Sequence, residues 1–126
     1  MKIVTEVPNA PKAIGPYSPA VVAQGFIFTS GQIPLHPETG QITSQSVRDQ
    51  TGQVLDNLAA VLAAAGATFA DVVKTTIFLT DLGAFGTVNE VYEAKMGGAK
   101  PARSTIQVAA LPRGSQVEIE MIAVAK

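Results

Sequence analysis

The chain has 126 residues and a mass of 13.0 kDa, enough for a hydrophobic core, and we expect residues 1–126 to form a single domain. Its net charge of -1 argues against binding to nucleic acid or to an anionic membrane surface, so we expect a small-molecule ligand. The absence of cysteine excludes disulfides, thiolate catalysis and zinc-thiolate sites, and the single histidine, His36, cannot build a metal site alone.

Hydrophobic residues make up 47% of the chain and charged residues only 15%. This ratio leaves little charge to cover the surface of a monomer, so it predicts that subunit contacts hide apolar surface. The N-terminal residues lack the long apolar segment of a signal peptide, and no stretch reaches transmembrane length. We therefore expect an oligomer in the cytoplasm, with no membrane partner.

Turn and strand patterns dominate the N-terminal part of the chain. A short strand is predicted at residues 3–5. The segment from Pro8 to Pro19 holds four prolines and a glycine, so it should be irregular but stiff. Gln24-Gly25 separates the apolar runs 21–23 and 26–30, which predicts a β-hairpin.

Two helices and one strand are predicted in the middle of the chain. Apolar residues recur at helical spacing from Ser46 onwards, and Gly66 is a natural stop. Residues 71–80 are rich in β-branched side chains and predict a strand. A second helix is predicted over residues 84–95, with Asp81 as a plausible N-cap.

The C-terminal part alternates polar and apolar residues in two segments, 103–110 and 115–125, around a turn signal at residues 111–114. This pattern predicts a β-hairpin, and closing the turn makes paired residue numbers sum to roughly 225. Alternation then predicts the two faces. The predicted core face holds Ser104, Ile106, Val108, Val117, Ile119 and Met121. The predicted polar face holds Arg103, Thr105, Gln107, Gln116, Glu118 and Glu120.

In this register Arg103 and Glu118 share a face but lie about 13 Å apart along the strand. A site that uses both therefore needs a substrate between them or a second subunit that presents the other half. The order of elements predicts an α+β fold with a mixed sheet and both helices on one face. The opposite face would carry Arg103, Glu118 and Glu120 and would pack against other subunits.

Arg103 and Glu118 are the leading candidates for chemistry. The planar guanidinium of Arg103 is suited to a bidentate grip on a carboxylate, although a surface arginine or a structural ion pair is the plainer alternative. Glu118 and Glu120 fit a general base and its neighbour, or simply a solvated strand face. Other candidates for lining a pocket, each with a purely structural alternative, are Tyr17, Ser30, Gly31 and Asn89.

Several motifs occur in one order from about Asn9 to Val124. They are Gly15-Pro16-Tyr17-Ser18, Ser30-Gly31-Gln32-Ile33-Pro34, Asp81-Leu82 with Phe85 and Val88-Asn89-Glu90-Val91-Tyr92, Pro101-Ala102-Arg103-Ser104, and Val117-Glu118-Ile119-Glu120 with Ile122-Ala123. In these motifs the chain resembles the Rid family of reactive intermediate deaminases, also called YjgF, and within it the RidA branch.

The resemblance implies a chorismate-mutase-like α+β subunit, assembled as a homotrimer with three clefts between neighbouring subunits. It also implies hydrolysis of 2-imino acids such as 2-iminobutanoate and 2-iminopropanoate, or of their enamine tautomers, to 2-keto acids and ammonia, without a cofactor. Pyridoxal-phosphate enzymes such as threonine dehydratase would release these substrates. By position, Arg103 would bind the substrate carboxylate and Glu118 would orient the attacking water. Tyr17, Ser30, Gly31, Asn89 and Thr105 would contact substrate.

The chain departs from the commoner RidA pattern at Thr105, where many members carry cysteine, so thiol-linked activities are excluded. The segment 95–101 is shorter than in some relatives, which would alter the rim of the cleft. Two alternatives remain open. One is an endoribonuclease or translation inhibitor, which the charge of -1 and the lack of a histidine pair disfavour. The other is a non-catalytic, ligand-binding or chaperone-like trimer.

Overall fold

The structure is a computed structural model that describes all 126 residues. It contains one sheet of six strands and two α-helices. Their bounds are β1 Lys2–Val4, β2 Ala20–Ala23, β3 Phe26–Thr29, α1 Val47–Ala64, β4 Val72–Leu79, α2 Phe85–Met96, β5 Ala102–Gln107 and β6 Val117–Val124. Neither helix is long and apolar enough to cross a membrane.

The strands lie in the order β1-β2-β3-β6-β4-β5. Every neighbouring pair is antiparallel except β4 and β5, which are parallel, so the sheet is mixed. Leu58 of α1 and Val88 of α2 belong to the same buried cluster as Ile77 of β4 and Ile119 of β6. Both helices therefore cover one face of the sheet, here called the helix face, and the predicted α+β class is confirmed.

Local signals in the sequence explain where the elements begin and end. Gln24 and Gly25 both have positive φ, 52° and 83°, as a two-residue hairpin turn requires. Ser46 caps α1, because its hydroxyl accepts a hydrogen bond from the Asp49 N–H at 3.3 Å. Asp81 caps the 3₁₀ turn at residues 82–84, which comes directly before α2. The predicted N-cap therefore lies one turn before the start of α2 and does not cap α2 itself.

The predicted C-terminal hairpin was wrong. β5 pairs with β4, where Arg103 lies opposite Thr75, and β6 pairs with the other edge of β4, where Met121 lies opposite Thr75. The register that sums to 225 does not occur. The reason is that α2 connects β4 to β5 as a crossover, which is the connection that parallel strands need, so β5 is already paired on that side. Alternation defines the faces of a strand but not its neighbour.

The change of partner also moves Arg103 to the opposite face. Residues paired across a sheet point to the same side, and Thr75 is fully buried under α2, so Arg103 lies on the helix face. Ser104 and Ile106, predicted as core, are exposed on the other face. Val117, Ile119 and Met121 were predicted correctly as core.

The face without helices, here called the open face, is unusually apolar. Phe26, Phe28, Ile106 and Val124 are each more than 40% exposed there. They share this face with Glu118 and Glu120, which lie opposite Phe78 and Thr76 of β4. Glu118 and Glu120 were thus assigned to the correct face, whereas Arg103 was not.

Candidate active site

The structure divides the predicted site residues into two groups on opposite faces of the sheet. The first lies on the helix face around Arg103. The second lies around Glu118 on the open face and includes Gly31, Ser30 and Tyr17. These are called the Arg103 pocket and the Glu118 group below.

The Arg103 pocket is a cavity of about 590 Å³ between α2 and the start of β5. Asn89 and Glu93 lie one turn apart on α2 and form one wall. The segment from Gly98 to Pro101 forms the rim, as expected for a short connection after a helix that ends at a left-handed glycine. The complete lining is Asn89, Tyr92, Glu93, Gly98, Ala99, Lys100, Pro101 and Arg103.

Two aromatic rings flank the guanidinium of Arg103. Its Cζ lies 5.0 Å from the ring centroid of Tyr92 and 5.5 Å from that of Phe85, both on α2. Such cation–π contacts are worth roughly 0.5–1 kcal/mol at exposed sites and more when desolvated. None of the three ion pairs in the chain involves Arg103. The guanidinium is therefore held in place while its positive charge is available to an anionic ligand.

Thr105 follows Arg103 by two residues on β5 and faces the same side of the sheet, because it pairs with the buried Ile77. Its hydroxyl oxygen is buried and has no hydrogen-bond partner within the chain. Arg103 and Asn89 line one cavity, and Thr105 shares their face of the sheet.

A β-bulge places Gly31 beside Glu118. Phe28 pairs with Ile122, and Gln32 forms an isolated bridge with Ile119. The chain therefore takes four steps from Phe28 to Gln32, against three from Ile122 to Ile119, so it carries one extra residue opposite Glu120 and Met121. In this bulge Gly31 lies beside the Glu118 side chain.

A larger residue at position 31 would force the Glu118 side chain to move. A Cβ built there would overlap the Glu118 side chain, with the carboxylate carbon at 2.8 Å and Cγ at 3.0 Å. The bulge thus brings bare backbone against the carboxylate, which is the close approach that glycine permits.

Short hydrogen bonds hold the rest of the Glu118 group. The Ser30 hydroxyl donates to the Ser18 carbonyl at 2.6 Å, which ties the end of β3 to the proline-rich segment. The Tyr17 hydroxyl accepts from the Ile14 N–H at 3.3 Å, and its ring is about half exposed. Tyr17 and Gly31 also line one small cavity. The Ser30 hydroxyl thus already has a hydrogen-bond acceptor within the chain. The exposed Tyr17 ring is more accessible to a ligand than this hydroxyl.

Burial raises the pKa of Glu118, and the negative charge of Glu120 two residues along the strand raises it further. A carboxylate with a raised pKa is a stronger base than an ordinary glutamate, so Glu118 is suited to accepting a proton. The nearby Glu120 acts here through its charge, which is the first role that the structure gives to it.

Arg103 and Glu118 cannot act on the same small molecule within one chain. Their strands are separated by β4, which places the backbones roughly 10 Å apart across the sheet and about 10 Å apart along it. The sheet itself also stands between them. One chain thus places an unpaired arginine in a pocket on one face of the sheet and a carboxylate of raised pKa on the other.

Phe85 and Tyr92 were not predicted as site residues, because their spacing placed them in the apolar stripe of α2. Tyr92 is indeed buried, while Phe85 is 40% exposed beside Arg103. The spacing of Phe85, Asn89 and Tyr92 places all three on one helix face. Together with a parallel β4–β5 pair, that spacing would have indicated which helix face covers the arginine.

Replacing Glu118 with glutamine should stabilise the protein at neutral pH. Because folding raises the pKa of Glu118, the folded state holds this proton more tightly, and stability is lost as the pH rises through the raised pKa. The stabilisation should disappear below the ordinary glutamate pKa of 4.5. Urea unfolding of Glu118→Gln and wild type at equal protein concentration, over a pH series, measures this.

The matched control is Glu6→Gln, at an exposed glutamate outside every strand and helix. It should not change the pH dependence of unfolding. A gain in stability that is equal for both variants, or that is independent of pH, would contradict the assigned role of burial at Glu118.

Comparisons with known proteins show the family to which the chain belongs. The family model described as Endoribonuclease L-PSP matches residues 7–125. A mouse protein named 2-iminobutanoate/2-iminopropanoate deaminase is 52% identical over 96% of this chain and 90% of its own length. A crystal structure of a putative endoribonuclease from Thermotoga maritima superimposes with a TM-score of 0.95 at 50% identity, covering 100% of this chain and 99% of that one.

The crystal structure of E. coli TdcF with bound serine matches at a TM-score of 0.94 and 45% identity, with both chains completely covered. The structural similarity thus covers the whole chain. The chain belongs to the Endoribonuclease L-PSP family, which is the YjgF/Rid family of reactive intermediate deaminases.

Proposed function

We propose that this protein hydrolyses 2-imino acids, such as 2-iminobutanoate and 2-iminopropanoate or their enamine tautomers, to 2-keto acids and ammonia. The observation that carries the proposal is the Arg103 guanidinium, held by two rings in a pocket and without an ion-pair partner of its own. The name of the mouse relative, a 2-iminobutanoate/2-iminopropanoate deaminase, supports this substrate class.

The reaction needs positioning more than activation, because the carbon of a protonated imine is already electrophilic. Arg103 binds the substrate carboxylate and fixes the orientation of the C=N bond. Glu118 accepts a proton from the attacking water as oxygen bonds to carbon, which forms a carbinolamine. Glu118 then returns this proton to the nitrogen, the C–N bond breaks as ammonia leaves, and the carbinolamine hydroxyl passes its proton back to Glu118 as the C=O bond forms.

The complete site is proposed to lie between two subunits. The Arg103 pocket of one chain meets the Glu118 group of the next, so that Asn89 and Thr105 contribute from one side and Tyr17, Ser30 and Gly31 from the other. Contact between different faces of identical chains is head-to-tail, and it closes into a ring if the rotation allows. We propose a homotrimer with three such sites. The exposed aromatic residues of the open face support burial of this face.

The proposed physiological role is removal of reactive imines that pyridoxal-phosphate enzymes such as threonine dehydratase release, in the cytoplasm. TdcF, the E. coli relative solved with bound serine, supports a site for small molecules of the amino-acid class. The word endoribonuclease in the family description supports RNA cleavage as a second candidate. The net charge of -1 makes RNA the less fitting substrate.

Substituting Arg103 with alanine should lower kcat/KM for imine hydrolysis on the order of 100-fold or more. Two charge-assisted hydrogen bonds to the carboxylate, each worth roughly 1.5–3 kcal/mol, are lost. The assay couples threonine dehydratase to this protein and follows trapping of the imine by semicarbazide, which the wild type should slow. Arg48→Ala is the control, since Arg48 pairs with Glu90 on the exposed surface.

If wild type leaves semicarbazide trapping unchanged, the deaminase proposal is wrong. Salt-sensitive RNA cleavage by the wild type, without any effect on the imine, would favour the ribonuclease. Ligand binding without turnover would favour a non-catalytic trimer.

Replacing Gly31 with alanine should lower the same activity on the order of 10-fold or more, because the added methyl group displaces the Glu118 carboxylate from its position. Gly52→Ala on α1 is the matched control. A Cβ at Gly52 meets only Lys95 Cε, at 3.9 Å, and Val91 Cγ1, at 4.0 Å, both ordinary contacts. Equal activities of the two variants would show that the position of Glu118 does not matter.

Two inactive variants should restore activity when their subunits are mixed. Arg103→Ala chains keep Glu118, and Glu118→Gln chains keep Arg103, so a mixed assembly contains interfaces with both intact halves. Refolding the two chains together in equal amounts should recover about one quarter of wild-type activity, because one ordered pairing in four is intact. Light scattering should give a mass near three times 13.0 kDa.

No recovery in an assembly of that mass would overturn the proposal that each site combines Arg103 of one chain with Glu118 of the next. The control mixture is each variant refolded with itself, which should remain inactive.

A further inference from the structure

A buried hydrogen bond lies directly behind Arg103. Thr75 of β4 is the register partner of Arg103 on β5, so the two side chains stand next to each other on the helix face. Tyr92 of α2 reaches down to both. Its hydroxyl forms a hydrogen bond of 2.9 Å with the Thr75 hydroxyl, while its ring lies 5.0 Å from the Arg103 guanidinium.

This hydrogen bond restricts the Tyr92 ring. Thr75 is completely buried and Tyr92 is 8% exposed, so neither hydroxyl has ready access to solvent as an alternative partner. A buried hydroxyl without a partner is costly, and each of these therefore holds the other in place. The bond holds the hydroxyl end of the ring against β4, so the ring can move away from the guanidinium only by breaking the bond.

We propose that Thr75 and Tyr92 are positioning residues for Arg103. Their hydrogen bond fixes the ring, the ring fixes the guanidinium, and the guanidinium then meets the substrate carboxylate at a defined place in the pocket. Phe85, at 5.5 Å from Arg103, is the second ring but donates or accepts no such bond. This inference deepens the proposed function and rests on Arg103 as the carboxylate-binding group.

A purely structural role is the alternative, and the chain offers a matched control for it. Thr51 on α1 is also completely buried, and its hydroxyl donates to the Val47 carbonyl at 2.7 Å. Thr51 does not line the Arg103 pocket. Replacing either threonine with valine removes one buried hydroxyl hydrogen bond, but only Thr75→Val removes a bond behind the arginine.

The kinetic test compares Thr75→Val, Tyr92→Phe, Thr75→Ser and Thr51→Val in the coupled imine assay. Thr75→Val and Tyr92→Phe should each raise KM about 3-fold to 10-fold with a smaller change in kcat, as loss of one hydrogen bond predicts. The double variant should resemble either single variant, because both remove the same bond. Thr75→Ser, which keeps the hydroxyl, should restore the wild-type KM, and Thr51→Val should leave it unchanged.

A second readout does not depend on turnover. The chain has three arginines, so the side-chain Nε–H resonance of Arg103 can be identified by its loss in Arg103→Lys. Ring currents from Tyr92 and Phe85 should shift this resonance in the wild type. Thr75→Val should move it and Thr75→Ser should not, in the absence of any ligand.

The two readouts separate the inference from the proposed function. If the wild type does not hydrolyse imines, the proposed function fails while the resonance still tests the positioning. If the wild type is active, but Thr75→Val matches Thr51→Val in both KM and the Arg103 resonance, the positioning role is overturned and the deaminase remains.

Discussion

The structure depends on how the two edges of β4 are used. One edge accepts β5 in parallel, because α2 carries the chain across the sheet, and the other accepts β6 in antiparallel orientation. This arrangement places the two strands that carry Arg103 and Glu118 on either side of a buried strand. It also determines the face of the sheet on which each side chain lies, so that Arg103 points to the helices and Glu118 points away from them. The separation of Arg103 and Glu118 onto opposite faces follows from strand pairing and not from any special feature of the two residues.

Arg103 and Glu118 both lack an ion-pair partner, but their surroundings differ. Arg103 lies in a partly buried pocket beside aromatic faces, which hold a cation without neutralising it. Glu118 has a raised pKa, because it is buried and lies near a second carboxylate instead of a cation. Neither environment contains the opposite charge that would satisfy it within the chain. That lack of internal pairing is typical of functional residues and is costly for a residue that serves only stability.

Much of the fold could be predicted from local sequence. Gln24-Gly25 indicated its hairpin because only a few residues accept positive φ, and Ser46 with Gly66 indicated the ends of α1. The C-terminal hairpin failed because alternation is a property of one strand, whereas pairing is a property of two. The segment Arg103 to Gln107 alternates equally well beside β4 or β6, and the choice reverses which side chains face the helices. The bulge at Gly31 could not be predicted for a similar reason, because a bulge is defined only by how one strand pairs with another, here β6.

The open face has a consequence for how such a protein can change during evolution. Glu118 shares the open face with exposed phenylalanine and isoleucine side chains, and in the proposed assembly this face holds neighbouring subunits together. A substitution there that changed the catalytic activity would also change the affinity between subunits. Activity and assembly therefore cannot evolve independently at this face. Residues of the Arg103 rim, such as Lys100, lie at the end of a short loop on the other face. Substitutions that change substrate preference should therefore accumulate at the rim of the Arg103 pocket, while residues of the open face should change little.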